Sequence, residues 1–135
     1  LPAKSYKLHP MLPRPHRLAN RTAIRRVLAR GARCWRPLLG LRAARNGTPQ
    51  SRFVFVISTK VSKRATERNR LRRHLREGVR ALLPTIAAGY DVAVIVLPAA
   101  RGVAASALRE QFTSAARHLG LLPPVQLKHQ IPNPK

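Results

Sequence analysis

Apolar positions along the chain follow two periods. Between Arg21 and Arg30, Ile24, Val27 and Leu28 recur at helical spacing. Asn20 stands before that stretch as an N-cap, and Gly31 after it as a stop. In the stretch Ser58 to Pro84, Leu71, Leu75, Gly78, Val79 and Leu82 gather within about 100° of an ideal wheel, with Asn69, Arg73, Arg76 and Arg80 opposite them. A third stripe, Leu108, Phe112, Ala115, Ala116 and Leu119, predicts a helix that opens at Ser106 or just before it and ends at Gly120. Phe53–Ile57 and Tyr90–Pro98 are instead unbroken apolar runs rich in β-branched residues, the pattern of strands buried on both faces.

The remaining segments are less regular. Trp35, Leu38, Leu39 and Leu41 suggest short strand pieces interrupted by Pro37 and Gly40. The stretch Arg45–Gln50 reads as a loop, with Asn46-Gly47 suited to a hairpin connection. Two apolar strands flanking the central helix make a βαβ unit, so the class is α/β. Residues 1–11, proline-rich with Lys4, Lys7 and His9, are expected to form a flexible arm. Residues 12–122 form one domain, and 123–135 are expected to be a disordered tail. At 135 residues and 44% hydrophobic content, one small core is affordable.

Charge changes the picture more than composition does. Lys and Arg total 27 against 4 Asp and Glu, a formal net charge of +23. A domain that repels itself so strongly is suited to a polyanionic partner. Aromatic residues are only 4% of the chain, which leaves few platforms for stacking bases. Cys34, the single cysteine, has no internal disulfide partner and reads as a buried structural residue in a reducing, cytoplasmic setting. No apolar run is long enough to cross a membrane, and no short apolar core with a cleavage site is visible near Leu1.

Motifs for chemistry are missing. The sequence has no phosphate-binding glycine loop, no dinucleotide fingerprint and no paired Cys or His at zinc spacing. His9, His16, His74, His118 and His129 are scattered, and His74 in the basic helix reads as a surface residue or phosphate donor. Glu67 and Glu77 are expected to orient neighbouring arginines, and Asp91, at a strand start, to pair locally with an arginine or a hydrogen-bond donor. No catalytic residue and no metal site is predicted. The candidate phosphate contacts are Arg68, Asn69, Arg70, Arg72, Arg73 and Arg76 on the central helix, approached by Lys60, Lys63 and Arg64. Guanidinium groups present planar forks of donors to phosphate oxygens. Arg68 lies near the leucine side of the wheel, so either its stem snorkels or an irregular first turn aims it into a groove.

The run Lys63-Arg64-Ala65-Thr66-Glu67-Arg68-Asn69-Arg70-Leu71-Arg72-Arg73-His74-Leu75-Arg76-Glu77 resembles the signature of the bacterial ribonuclease P protein component. The likeness lies in Arg68-Asn69-Arg70, then Leu71, Arg72-Arg73 and Arg76-Glu77, with Ser58, Lys60 and Lys63 upstream and a looser match from Arg17 to Leu121. It implies an α+β two-layer sandwich in the order αβββαβα, a small mixed sheet packed by helices, like the second domain of ribosomal protein S5. It also implies a left-handed βαβ crossover, against the general preference for the right-handed one.

The same resemblance implies a protein subunit of ribonuclease P. Such a subunit binds the catalytic RNA and the 5′ leader of precursor tRNA, and assists endonucleolytic removal of the leader. Hydrolysis then belongs to the RNA subunit, with Mg2+ held mainly by RNA and substrate, and no membrane or small-molecule partner is implied. A leader cleft is implied around Ile24 and Leu28, with Phe53 and Phe55. The family usually has aromatic residues at the first two positions, and an aliphatic pair cannot stack as a phenyl ring does. The alternatives are a structural or ribosomal-type RNA-binding protein without a role in cleavage, and a membrane-active basic helix. The strands flanking the helix argue against the latter, because they place its leucine side in a core.

Overall fold

In the computed structural model, which describes residues 12–124, the first helix, α1 (Arg21–Arg30), starts where the sequence predicts. The Asn20 side-chain oxygen accepts from the Ala23 N–H at 2.9 Å, satisfying one orphan donor of the first turn, worth about 1 kcal/mol. Gly31 ends the helix for a different reason than a left-handed cap, since its φ is −64°. A Cβ there would lie 2.6 Å from the Val27 carbonyl oxygen and 3.0 Å from the Ala43 nitrogen, so close strand approach demands glycine. The chain then forms β1 (Ala32–Trp35) and β2 (Leu39–Arg45), followed by β3 (Arg52–Val56) and α2 (Ala65–Leu82). It ends with β4 (Tyr90–Val96) and α3 (Ala105–His118). The proposed arm and the tail beyond residue 124 lie outside the described residues.

The sheet order is β1-β2-β4-β3, with β1/β2 and β2/β4 antiparallel. The β3/β4 pair is parallel, so α2 is the crossover of a βαβ unit in a mixed sheet. Strand alternation separates two apolar faces. On one, Leu39, Leu41, Val92, Val94 and Phe53 pack with Leu71, Leu75 and Val79 of α2 and with Leu108, Phe112 and Ala115 of α3. On the other, α1 covers Ala93 through Ala23 and Val27, with Ile24, Leu28, Val54 and Ile95 around them. Each large aliphatic side chain shut into the main core contributes about 2 kcal/mol, and the leucine side of α2 is thereby fixed inward. Pro84 follows the helix end, where Thr85 and Ile86 N–H groups donate back to the Leu82 carbonyl.

Three expectations about strands are corrected. The two apolar runs look alike in sequence but do not share an environment. β4 is central and buried on both faces, whereas β3 is an edge strand in which Phe53 is buried and Val54, Phe55 and Val56 are half-buried. Among the described residues, its outer edge is met by the Leu18 N–H, which donates to the Phe53 carbonyl at 2.9 Å. Gly40 does not interrupt a strand; it lies inside β2. Asn46-Gly47 makes no hairpin, because β4 lies between β2 and β3. The turn wraps the start of β4 instead: the Asn46 N–H donates to the Gly89 carbonyl and its side-chain amide to Asp91 Oδ1 at 3.0 Å. The tight hairpin joins β1 and β2 through Arg36, whose N–H donates to the Leu39 carbonyl at 2.8 Å.

Candidate nucleic-acid interface

The approach to α2 is built on two buried residues. Val61 and Ser62 are both shut in, and the neighbours on either side, Lys60, Lys63 and Arg64, are exposed. Ser62 organises the turn: its hydroxyl donates to Glu67 at 3.1 Å and accepts from the Arg64 N–H at 3.2 Å. Arg68 folds back and donates to the Ser62 carbonyl at 2.9 Å, which answers its awkward place on the wheel. Lys60, Lys63 and Arg64 line a shallow polar depression, which Arg101 joins from the turn after β4. Arg101 was not identified from sequence, because nothing local sets it apart; only the fold brings it to this rim.

Along α2, Asn69, Arg73 and Arg80 are exposed, while Arg70, Arg72 and Arg76 are half-buried. Arg72 donates to the Asn69 side-chain oxygen at 2.8 Å, one helical turn away, so Asn69 holds that guanidinium in place and keeps its own amide N–H groups free. Arg72 and Arg76 line a groove against the β3 edge with Arg17, Leu12, Leu18, Phe53, Val54 and Phe55. Arg17 is held there by its Nε donating to the Leu12 carbonyl at 2.7 Å. The Arg76 guanidinium is pushed below its ordinary pKa, first by partial burial and then by the charges of Arg72 and Arg17. No carboxylate lines this groove. The four acidic residues of the chain lie elsewhere: Glu67 at Ser62, Glu77 facing Arg109, Asp91 bound to Arg52, and Glu110 exposed on α3.

Asp91 is the counter-example. Arg52 clasps it through two bonds of 2.8 and 2.9 Å, and that contact raises the Arg52 pKa. His74 differs from expectation. Neither ring nitrogen has solvent access or a hydrogen-bond partner, so it is not a surface phosphate donor. Burial, then the charges of Arg70 and Arg73, lower its pKa and keep it neutral near pH 7, with Glu77 opposing.

The four residues assigned to a leader cleft are not brought together. Ile24 and Leu28 are half-buried on the α1 face of the sheet, while Phe53 belongs to the core on the opposite face and Phe55 packs partly against it. Phe53 and Phe55 line the arginine groove at the β3 edge instead. Ile24 and Leu28 pack against the same small core as Val54, Ile95 and Ala44.

The interface is therefore a set of guanidinium and ammonium groups fixed by backbone and side-chain acceptors; Glu67 lies 3.9 Å from Arg101 at the Ser62 turn, while the Arg17–Arg72–Arg76 groove has no carboxylate in its lining. Such a surface can bind phosphate oxygens. A family model described as Ribonuclease P matches residues 12–120. The ribonuclease P protein component of Microcystis aeruginosa is 42% identical over 93 residues, covering 66% of this chain and 78% of the relative. That of Xanthomonas oryzae pv. oryzae is 35% identical over 111 residues, covering 82% of this chain and 75% of the relative. Among solved structures, the RNase P protein from Thermotoga maritima superposes with a TM-score of 0.69 at 25% identity, over 76% of this chain and 96% of that one. An RNase P protein mutant of Staphylococcus aureus with defective mRNA degradation activity gives a TM-score of 0.76 at 16% identity, over 89% and 98%, a likeness of fold alone.

Proposed function

This chain belongs to the ribonuclease P protein family, and on that premise we propose that it binds the RNA subunit of ribonuclease P and the 5′ leader of precursor tRNA, assisting removal of that leader. The observation that carries the reading is the groove in which Arg17, Arg72 and Arg76 crowd together without a carboxylate. Three guanidinium groups held against one another raise the free energy of the empty site, and a polyphosphate backbone relieves that repulsion. Lys60, Lys63, Arg64, Arg70 and Arg73 extend the positive surface along the helix, Asn69 positions Arg72, and Arg68 holds the loop in shape.

Hydrolysis in this reading belongs to the RNA subunit. Mg2+ is the metal of the assembly, and the donor set of the interface, cationic and without a free carboxylate, does not fit a divalent cation. The protein contributes by neutralising phosphates of two large polyanions, so its effect falls steeply with added salt. No helix among the described residues is long and apolar enough to cross a membrane.

The test is cleavage of a 5′-extended precursor tRNA at low magnesium by a bacterial ribonuclease P RNA, with and without the protein. Stimulation that needs both components, and is lost in the Arg72→Ala/Arg76→Ala double variant, is the expected result. Cleavage by the protein alone would place hydrolysis on the protein and contradict the proposal. Tight RNA binding without stimulation would favour a purely structural RNA-binding role.

A further inference from the structure

Trp35 is the one exposed large hydrophobic side chain among the described residues, at 47% exposure. Cys34 beside it is buried in the main core, so strand alternation turns Trp35 to the opposite face, the one α1 covers. There it lies flat on Gly40 of β2: a Cβ on Gly40 would stand 2.1 Å from Trp35 Cε3 and 2.3 Å from Cζ3. Glycine at position 40 is thus a seat for the indole ring, in a strand interior where glycine otherwise costs stability.

The seat is stiff. Arg36 donates to Cys34 Sγ at 3.0 Å, to the Trp35 carbonyl at 3.1 Å and to Ser114 Oγ of α3 at 2.9 Å, and the Leu38 N–H donates to the Gln111 side chain at 2.8 Å. The hairpin edge is therefore pinned to α3 from behind while its front carries the ring.

Register extends the platform across the sheet. Trp35 pairs with Gly40, Gly40 with Ile95, and Ile95 with Val56, so one row presents an indole followed by two half-buried aliphatic side chains. Leu28 and Ile24 of α1 and Ile95 pack against the same small core of Leu18, Ala23, Val27 and Ala93. The next row holds Arg33 and Arg42, cross-strand partners of like charge. Arg42 is tied to the Gly31 carbonyl, while Arg33 is exposed two residues from the ring on the same face. Asp91, the carboxylate that alternation places on this face, is already neutralised by Arg52. An exposed aromatic plane, an apolar floor and a free guanidinium on a face without free negative charge match the chemistry of single-stranded nucleic acid, where bases stack and phosphates pair with arginine.

We propose that Trp35, seated on Gly40, is a base-stacking residue for single-stranded RNA and supplies from the β1–β2 hairpin the aromatic contact that aliphatic Ile24 and Leu28 cannot make. That the strand is the 5′ leader rests on the function proposed above; the stacking itself does not.

The chain's single tryptophan is its own reporter. The full-length protein is titrated with an oligoadenylate of about eight nucleotides, within the site size of such platforms, and with an abasic strand of equal length. Quenching of Trp fluorescence by the oligoadenylate but not by the abasic strand is expected. Trp35→Ala and Trp35→Leu should each weaken oligoadenylate binding about 5- to 100-fold, while Trp35→Phe retains most of it. Leucine still covers Gly40, so a loss shared by both variants, at unchanged Tm, reports stacking rather than a damaged hairpin. Unchanged fluorescence at saturating RNA, equal quenching by the abasic strand, or wild-type affinity in Trp35→Ala would each overturn the proposal. Failure of the wild-type protein to stimulate precursor tRNA cleavage would instead sink the subunit reading and leave the stacking result standing.

Discussion

Arg52 and Arg76 are both half-buried arginines at the β3–β4 side of the molecule, and they stand in opposite electrostatic circumstances. Arg52 reaches Asp91 through two short bonds, its pKa is raised, and the Asn46 amide completes the carboxylate's shell. Arg76 has two other arginines for company, its pKa is lowered, and no carboxylate shares its groove. The first is a closed account, with charge and counter-charge folded together. The second is open: its counter-charge has to come from another molecule. The contrast separates arginines that hold the fold from arginines that await phosphate, which composition alone cannot do in a chain carrying 27 basic residues.

Breaking the closed pair should have the largest effect on the fold. Arg52→Ala leaves Asp91 buried and uncompensated, and denaturant unfolding should show a loss of about 3 kcal/mol. Its RNA affinity, measured where the variant is folded, should stay near wild type. Arg76→Ala should do the reverse. Removing one of three crowded cations should leave stability within about 0.5 kcal/mol of wild type, while RNA binding weakens and its salt dependence flattens.

Arg68 sharpens the comparison because it belongs to both classes. Its bond to the Ser62 carbonyl helps shape the loop that displays Lys60 and Lys63. Arg68→Ala should lower both Tm and RNA affinity, whereas exposed Arg73→Ala should lower affinity alone. Hydrogen exchange at Val61–Arg64 would distinguish the two.

The smallest effect concerns His74. Its folded pKa lies below the ordinary value of 6.5, so the unfolded chain binds more protons in the window just below that value. Stability is therefore fully present above about pH 6.5 and declines as pH falls through the folded pKa. His74→Leu should flatten this acid-side loss and raise neutral-pH stability by about 1 kcal/mol, because two unpartnered ring nitrogens are removed. Unfolding curves between pH 5 and 8, a window chosen to bracket an ordinary histidine, provide the check.

What could be seen in the sequence was whatever depends on neighbours along the chain. The Asn20 cap, the leucine stripe of α2 and the α3 stripe rest on spacings of three and four residues, and each appears where expected. Phe53–Ile57 and Tyr90–Pro98 carry the same local pattern, and only strand order makes one an edge and the other central. The same limit hid Arg17 and Arg101: each reaches the interface from a distant segment, with no motif of its own. Phe53 and Phe55 were grouped with Ile24 and Leu28 although the pleat puts them on the other face. Trp35 and Gly40 were read as parts of irregular strand pieces, because the stacking between them exists only once the hairpin closes.

The most direct measurement is the affinity of the protein for ribonuclease P RNA as a function of salt, for wild type and for Arg72→Ala/Arg76→Ala. If the open arginines meet phosphate, the double variant should bind more weakly and its log–log salt slope should be shallower by about 1.4 to 1.8, at unchanged Tm. Parallel salt lines with equal affinity would show that the groove's missing counter-charge is not RNA.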